Sequence, residues 1–310
     1  MYKSGLGDLP VVEGKPLIVA AIPAYNEEKT IARVVLMAKR YVDRVLVCDD
    51  GSKDLTALVA EELGADVIRH GKNCGKGVAL RSLFERAQEL GADVVVTLDA
   101  DGQHDPNEIS HLVKPILSGE ADIVVGSRFL AGNNEMPFYR QLGSRMLNGL
   151  VNMFGEKRIS DTQSGFRAYN RKALEEIDIT TNGIGVDSEI LMKAYGNDVK
   201  IKEVPISCMF KGVDGSTYHP VRHGMDVMGS IIRYASERKP LLTFGLPGAT
   251  VLAAGMMLFI YVLQIYFSTK QFAIGYMLTS MIAIVTGVFA IFTALILYTM
   301  SNLMQKNKKS

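Results

Sequence analysis

Two stretches without a single charged residue, 241–267 and 272–300, restrict this 310-residue chain more than any other feature. Wound as helices at about 1.5 Å per residue, each is roughly 40 Å long, enough to cross a hydrocarbon core of about 30 Å with some tilt. The other fold open to them is a pair of buried helices in a soluble core. Only Ser268, Thr269, Lys270 and Gln271 separate the two runs, so the pair predicts a helical hairpin whose ends face one side. Arg233, Arg238 and Lys239 precede it and Lys306, Lys308 and Lys309 follow it, against Lys270 alone in the loop. The positive-inside rule then puts the bulk of the protein and both termini in the cytoplasm, held by a two-helix, multi-pass anchor in the cell membrane. Residues 1–15 mix polar residues, glycine and proline without an apolar core, and no signal peptide is expected there.

Ahead of the hairpin the chain is 240 residues of ordinary globular character, long enough for one substantial core. A formal net charge of +1 and the lack of a basic block exclude nucleic acid as the main partner. The three cysteines, Cys48, Cys74 and Cys208, show no metal or redox spacing and suit a reducing compartment. Strand patterns at 17–22, 44–48, 67–69, 94–98 and 122–126 alternate with helix patterns at 27–40, 55–63, 77–90 and 107–117. This rhythm predicts an α/β fold: a Rossmann-like, mainly parallel sheet with helices on both faces. The expected organisation is an N-terminal tail (1–15), the α/β domain (16–218), an amphipathic interfacial helix (219–240), and the two-helix anchor with a cytoplasmic tail (241–310). Over 222–239, Met225, Met228, Ile231, Ile232 and Ala235 recur at helical spacing among Arg222, Arg233, Arg238 and Lys239. Such a helix lies at the cytoplasmic face of the lipid bilayer or packs its stripe on the α/β domain.

Ligands of such a sheet bind beyond the carboxyl ends of its strands, where the chemically distinctive residues fall. The fourth strand pattern runs into Asp99-Ala100-Asp101-Gly102-Gln103-His104, and the turn at Gly102 aims two carboxylates at one small volume. Like charges so close are tolerable beside a bound cation, which implies a divalent metal carrying phosphate oxygens. After the first strand, a proline-fixed turn at Pro23-Ala24-Tyr25-Asn26-Glu27-Glu28 opens a helix whose first amides are placed to face an anion. Asp49-Asp50-Gly51-Ser52 follows the second strand, and the basic, glycine-rich 71–77 follows the third. Each segment alone is consistent with helix capping or a turn; together at the ends of strands in one sheet they predict a nucleoside-diphosphate pocket. No Gly-x-x-x-x-Gly-Lys-Ser/Thr loop is present, which disfavours ATP hydrolysis of that kind.

In order and spacing, Ile22-Pro-Ala-Tyr-Asn-Glu-Glu28, Asp49-Asp-Gly-Ser52, Gly75-Lys-Gly77 and Asp99-Ala-Asp-Gly-Gln103 resemble the family 2 glycosyltransferases of GT-A fold. Val125-Gly-Ser-Arg128, Asp161-Thr-Gln-Ser-Gly-Phe-Arg167 and Glu203-Val-Pro-Ile206 are similar to the branch that loads sugars onto polyprenyl phosphates, the dolichyl-phosphate mannose or glucose synthases. The resemblance covers roughly 16–217. It implies nucleoside contacts at Pro23, Tyr25, Glu27 and Asp50, with Asp49 nearby and Ala24 and Ala100 within the donor-contacting stretches. It also implies that Asp99, Asp101 and Gln103 hold Mg²⁺ or Mn²⁺ on the diphosphate of a UDP- or GDP-linked sugar. His104, next to that set, reads as a loop-packing residue.

A phosphate monoester with its second pKa near 6 is largely dianionic at neutral pH and attacks an anomeric carbon without a base. Cations therefore matter most, and Arg128, Arg140 and Lys211 are the candidates to hold the lipid phosphate against the donor diphosphate; with Asp101 they form the expected catalytic set. Asp101→Asn and Arg128→Ala are expected to abolish transfer and leave the fold intact. Where similar enzymes carry an arginine and then Gly-x-Ser-Lys, this chain has Lys211 and ends in Thr217, with His219 and Arg222 nearby to replace the missing charge. Asp187 and Glu189 are the rival constellation: a base for a hydroxyl acceptor, or acids favoured at a helix start. Asp161, Gln163 and Arg167 either shape the sugar and acceptor site or hydrogen-bond their own turn. The expected activity is metal-dependent, inverting transfer of a hexose or N-acetylhexosamine to dolichyl or polyprenyl phosphate. Transfer to a glycan or lipid-linked hydroxyl, and a non-catalytic scaffold keeping the fold, are the alternatives. The absence of tryptophan excludes the Gln-x-x-Arg-Trp motif of processive synthases. Homo-oligomerisation is left open.

Overall fold

The computed structural model describes residues 14–130, 138–153, 158–195, 199–207, 228–229, 232, 236 and 239–309, without the side chains of 138–142, 302 and 304–309. The chain divides into two compact units, 1–228 and 229–310.

The first unit is built on seven strands: β1 (Ile18–Ala24), β2 (Arg44–Asp49), β3 (Asp66–Arg69), β4 (Val94–Thr97), β5 (Ile123–Ser127), β6 (Arg167–Asn170) and β7 (Ile201–Pro205). They lie in the order β3-β2-β1-β4-β6-β5-β7, and every neighbouring pair is parallel except those made by β6. Strands covered on both faces must be apolar throughout, and Val19–Ile22 of β1 and Val94–Val96 of β4 are all essentially inaccessible. On one face Ala20, Ile22, Val45, Val47, Val94 and Val96 pack with Ile31, Val34 and Val35 of α1 (Ile31–Ala38) and with Ile109 and Leu112 of α4 (Ile109–Leu117). Alternation along a strand sends the intervening residues to the other face. There α3 (Lys76–Glu89) buries Leu80, Leu83 and Phe84 against β1 and β2. Helix α2 (Thr56–Glu62) joins β2 to β3.

Two expectations shift. Strand β1 runs through Pro23 to Ala24, paired with Cys48 and Asp49, and α1 begins at Ile31. The amides of Asn26, Glu27 and Glu28 are taken by Ser52 Oγ, Thr56 Oγ1 and Asp54 Oδ2 at 2.8, 2.7 and 3.2 Å. Those bonds hold 26–28 as a turn, and the amides expected to face an anion are already engaged. Strands β6 and β7 extend the sheet beyond the five strand patterns. Because β6 is antiparallel, its first residue, Arg167, lies beside Thr97 and Val125 near the carboxyl edge of the parallel strands. Helices α5 (Phe138–Asn152), α6 (Arg171–Glu176) and α7 (Val186–Tyr195) complete this unit.

In the second unit a π-helical turn (Leu241–Gly245) leads into α8 (Leu246–Thr269), and α9 (Ile274–Lys309) returns. Lys270 ends α8 in the left-handed conformation at φ 57°. The segments 241–269 and 274–301, with mean hydropathy 2.0 and 2.5, are long and apolar enough to cross a membrane. The helices approach closely where side chains are missing: a Cβ at Gly255 would lie 2.9 Å from the Ile284 amide nitrogen.

Candidate active site

The carboxyl edges of β1, β2 and β4 bring the expected donor-site residues together. Ala24 pairs with Asp49 and its carbonyl accepts the Asp50 amide at 2.8 Å. Asp49 and Asp50 are both buried, whereas Pro23, Tyr25 and Glu27 are half-buried. Asp50 accepts the Cys74 amide at 3.0 Å (Oδ1), the Gly75 amide at 2.7 Å (Oδ2) and His70 Nδ1 at 2.7 Å (Oδ1). It therefore fastens the 71–77 loop to the end of β2, a role the nucleoside assignment had not included. Asp49 accepts the Ser52 amide at 3.2 Å through Oδ1.

That fastening leads directly to Lys76. Gly77 donates its amide to the Asn182 carbonyl at 2.8 Å, and a Cβ there would lie 1.9 Å from the Thr181 carbonyl oxygen. A Cβ at Gly75 would come within 2.4 Å of the Asn182 oxygen, at a φ of +99°. Backbone thus packs on backbone on both sides of Lys76, which is why glycine flanks it. The Lys76 ammonium lies 2.8 Å from Asp99 Oδ1 and 3.0 Å from Asp187 Oδ2. Burial opposes its charge, but Asp187 and Asp99 override this and hold its pKa above the ordinary value.

Asp99, Ala100, Asp101 and Gln103 follow β4 in a turn in which the Gln103 amide donates to Asp101 Oδ1 at 3.0 Å. Burial raises the Asp99 carboxyl, but Lys76, with His104 and Arg128, more than reverses it, so Asp99 titrates below its usual range. Asp101 moves the other way: burial, then the charge of Asp99, push its carboxyl up. Glu27 is also raised, by burial, with Asp99 and Asp54 adding to it against a hydrogen bond from Thr30. Three acids thus feel one another, and one of them has already drawn in a cation. Hard carboxylate oxygens that raise one another's pKa are the donor type that suits Mg²⁺ or Mn²⁺. His104 is buried, stacks on Phe166 at 5.1 Å and accepts the Asp99 amide at 3.4 Å through Nδ1, the packing role expected of it.

Arg128 ends the Val125-Gly-Ser-Arg128 motif but does not stand as an unattached phosphate clamp. Nε and Nη2 bond Asp161 Oδ2 and Oδ1 at 2.7 and 2.8 Å, and its amide reaches Oδ2 at 3.1 Å. Its charge is felt at Asp99, whose carboxyl it lowers after Lys76 and His104. Asp161 is fixed in turn by Glu203, which accepts the Ser160 hydroxyl at 2.7 Å and the Asp161 amide at 3.2 Å. Arg167 is fully buried and donates to the carbonyls of Ser164, Asp187 and Thr162 at 2.7–2.8 Å; Gln163 bonds Ser188 Oγ at 2.7 Å. Arg167 thus joins the 162–164 turn to the start of α7, and Gln163 reaches the same helix. Arg140 lies on α5 with its side chain outside the described residues, as do Lys211, Thr217, His219, Arg222 and nearly all of 219–238.

The rival acids are committed. Glu189 Oε1 accepts the Thr180 amide at 2.9 Å, its hydroxyl and Lys193 Nζ, and Oε2 accepts the Thr181 amide at 2.8 Å. Burial raises its pKa, but Lys193 and Thr180 more than offset this and the net shift is downward. Asp187 is paired to Lys76. One grouping escaped the spacing of the cysteines: Asp50, His70 and Cys74 bring ligand atoms within 4.8 Å of one another, and Cys48 Sγ lies 3.5 Å from His70 Nε2. They come from the ends of neighbouring strands, which spacing along the chain does not reveal. Burial and the nearby Asp50 push the Cys48 thiol up to about 12, an inert state.

Residues 19–178 match glycosyl transferase family 2. A UDP-N-acetylglucosamine–dolichyl-phosphate N-acetylglucosaminyltransferase of Methanococcus voltae is 34% identical over 234 residues, 68% of this chain and 91% of that one. A polyprenol monophosphomannose synthase of Mycolicibacterium smegmatis is 32% identical over 219 residues, 66% of this chain and 82% of that one. A crystal structure of glucosyl-3-phosphoglycerate synthase from Mycobacterium tuberculosis with Mn²⁺, UDP-glucose and phosphoglyceric acid superposes with a TM-score of 0.56 at 25% identity, covering 71% of this chain and 79% of that one. The chain belongs to glycosyl transferase family 2, and the family match and the named relatives place it among the glycosyltransferases.

Proposed function

We propose that this glycosyltransferase moves a hexose or N-acetylhexosamine from a nucleoside-diphosphate sugar to dolichyl or polyprenyl phosphate at the cytoplasmic membrane face. The observation that carries the reading is the Asp99–Asp101 turn at the carboxyl edge of the sheet in a chain that also has two helices apolar enough to cross a membrane. A soluble donor and a lipid-borne acceptor meet at such an interface. The relatives named for dolichyl and polyprenol phosphate support the acceptor class.

Asp99, Asp101 and Gln103 would hold Mg²⁺ or Mn²⁺, as the Mn²⁺-bound structural relative supports. When bound, the ion neutralises charge developing on the departing diphosphate. Asp49 and Asp50, with Pro23, Ala24, Tyr25 and Glu27, form the nucleoside end. Arg128, oriented by Asp161, supplies positive charge beside the diphosphate, and Arg140 and Lys211 are the remaining cations for the acceptor phosphate. The commitment of Asp187 and Glu189 to other bonds favours an acceptor that needs no base. The single-step, inverting course belongs to this reading.

Full-length protein in detergent, given radiolabelled UDP-glucose, UDP-N-acetylglucosamine or GDP-mannose with dolichyl phosphate, tests it. A lipid-soluble product from one donor, formed with Mg²⁺ or Mn²⁺ and lost with a chelator, is expected. Donor binding without product from any of the three would remove the acceptor assignment.

A further inference from the structure

Lys76 stands where a cation is wanted, and its position on the helix makes that unusual. It is the first residue of α3, where the positive end of the helix dipole disfavours an ammonium. Two carboxylates on other elements hold it there: Asp99 Oδ1 at 2.8 Å and Asp187 Oδ2 at 3.0 Å. The surroundings are shaped for the contact. Asp50 fixes Gly75, Asn182 fixes Gly77, and a Cβ at Gly165 would lie 2.7 Å from Asp99 Oδ2 and 2.8 Å from Lys76 Nζ.

We infer that Lys76 is an internal counter-ion that exchanges with the divalent cation. Its ammonium neutralises Asp99 at 2.8 Å; as a divalent cation takes Asp99, the ammonium withdraws to Asp187. With the ammonium held at Oδ1, a divalent ion on either oxygen of Asp99 stands close beside it, and the two cations repel each other. Asp187, only 4% exposed, remains as the partner that keeps the displaced ammonium from being stranded. The exchange holds the Asp99 turn in place and lowers its affinity for the metal alone. It rests on the proposed metal role of Asp99.

Two measurements on the full-length protein in detergent, without nucleotide, test it. Mn²⁺ titration followed by electron paramagnetic resonance compares wild type with Lys76→Met, which is expected to bind at least about tenfold more tightly. Reductive methylation of the wild type, read by mass spectrometry, is expected to modify Lys76 severalfold faster with Mg²⁺ than without, relative to the exposed Lys114. A Lys76 rate that is unchanged or slower in protein that binds the ion overturns the exchange, and this holds even if the variant does not fold. Unaltered Mn²⁺ affinity in folded Lys76→Met also overturns it. Wild type that binds no Mn²⁺ even when UDP or GDP is added overturns the metal role of Asp99 itself.

Discussion

Arg128 grips Asp161 with both prongs of its guanidinium, Nε to Oδ2 at 2.7 Å and Nη2 to Oδ1 at 2.8 Å, and Asp161 has no solvent exposure. Removing the arginine leaves a buried, unpaired carboxylate, a loss of about 3–5 kcal/mol. Arg128→Ala is therefore expected to lower the melting temperature as well as abolish transfer, in place of the intact fold expected from the sequence. Arg128→Lys keeps the charge without the fork and falls between the two. Thermal unfolding in detergent checks this; an Arg128→Ala midpoint equal to wild type would show that Asp161 does not depend on its partner.

Asp101→Asn separates stability from metal binding. Burial and Asp99 raise the Asp101 carboxyl above its ordinary 3.8, so the ionised form weakens the metal-free fold at pH values above its folded pKa. The amide removes that charge. A melting temperature at pH 7 equal to or above wild type is expected in chelator, with Mn²⁺ affinity reduced on the order of a hundredfold. A variant that melts lower yet binds Mn²⁺ normally would contradict both halves.

Gly77→Ala tests the backbone contact behind Lys76. With its Cβ 1.9 Å from the Thr181 carbonyl oxygen, the variant must move one segment or the other, at a cost of about 1–3 kcal/mol or more. Gly71, with nothing within 4 Å of a Cβ, is the matched control and is expected to accept alanine with little change. Equal denaturation midpoints for the two variants would remove the contact from the account.

Much of this architecture was legible because parallel strands buried on both faces are uniformly apolar: β1 to β5 and the helices between them stand out, as do the two uncharged runs. Strand β6 did not, since Arg167-Ala-Tyr-Asn170 has no apolar run and is a strand only through pairing with β4 and β5. The placing of Asp49, Asp50, Asp99 and Asp101 at one edge was readable because they follow apolar strands directly. Their partners were not: Lys76 meets Asp187 across 111 residues, and Arg128 meets Asp161 across 33. The start of α1 was misplaced because Ser52, Asp54 and Thr56 hold its lead-in residues as a turn.

Glu189 gives a pH signature. Lys193, Thr180 and the Thr181 amide, acting against burial, lower its folded pKa below the ordinary 4.5. Its contribution is thus full above pH 4.5 and is lost as pH falls through the folded pKa. Glu189→Gln is expected to be less stable than wild type at pH 7, with the difference shrinking below pH 4.5. A pH-independent difference in melting temperature would contradict an ionised role.

Acceptor discrimination tests the central claim most directly. Once the donor sugar is known, its transfer to dolichyl phosphate is to be compared with transfer to dolichol, the same lipid bearing a free hydroxyl, at equal concentrations with Mg²⁺. Product from dolichyl phosphate alone is the result predicted by a site whose cations, not a base, prepare the acceptor. Product from dolichol at a comparable rate would contradict that chemistry.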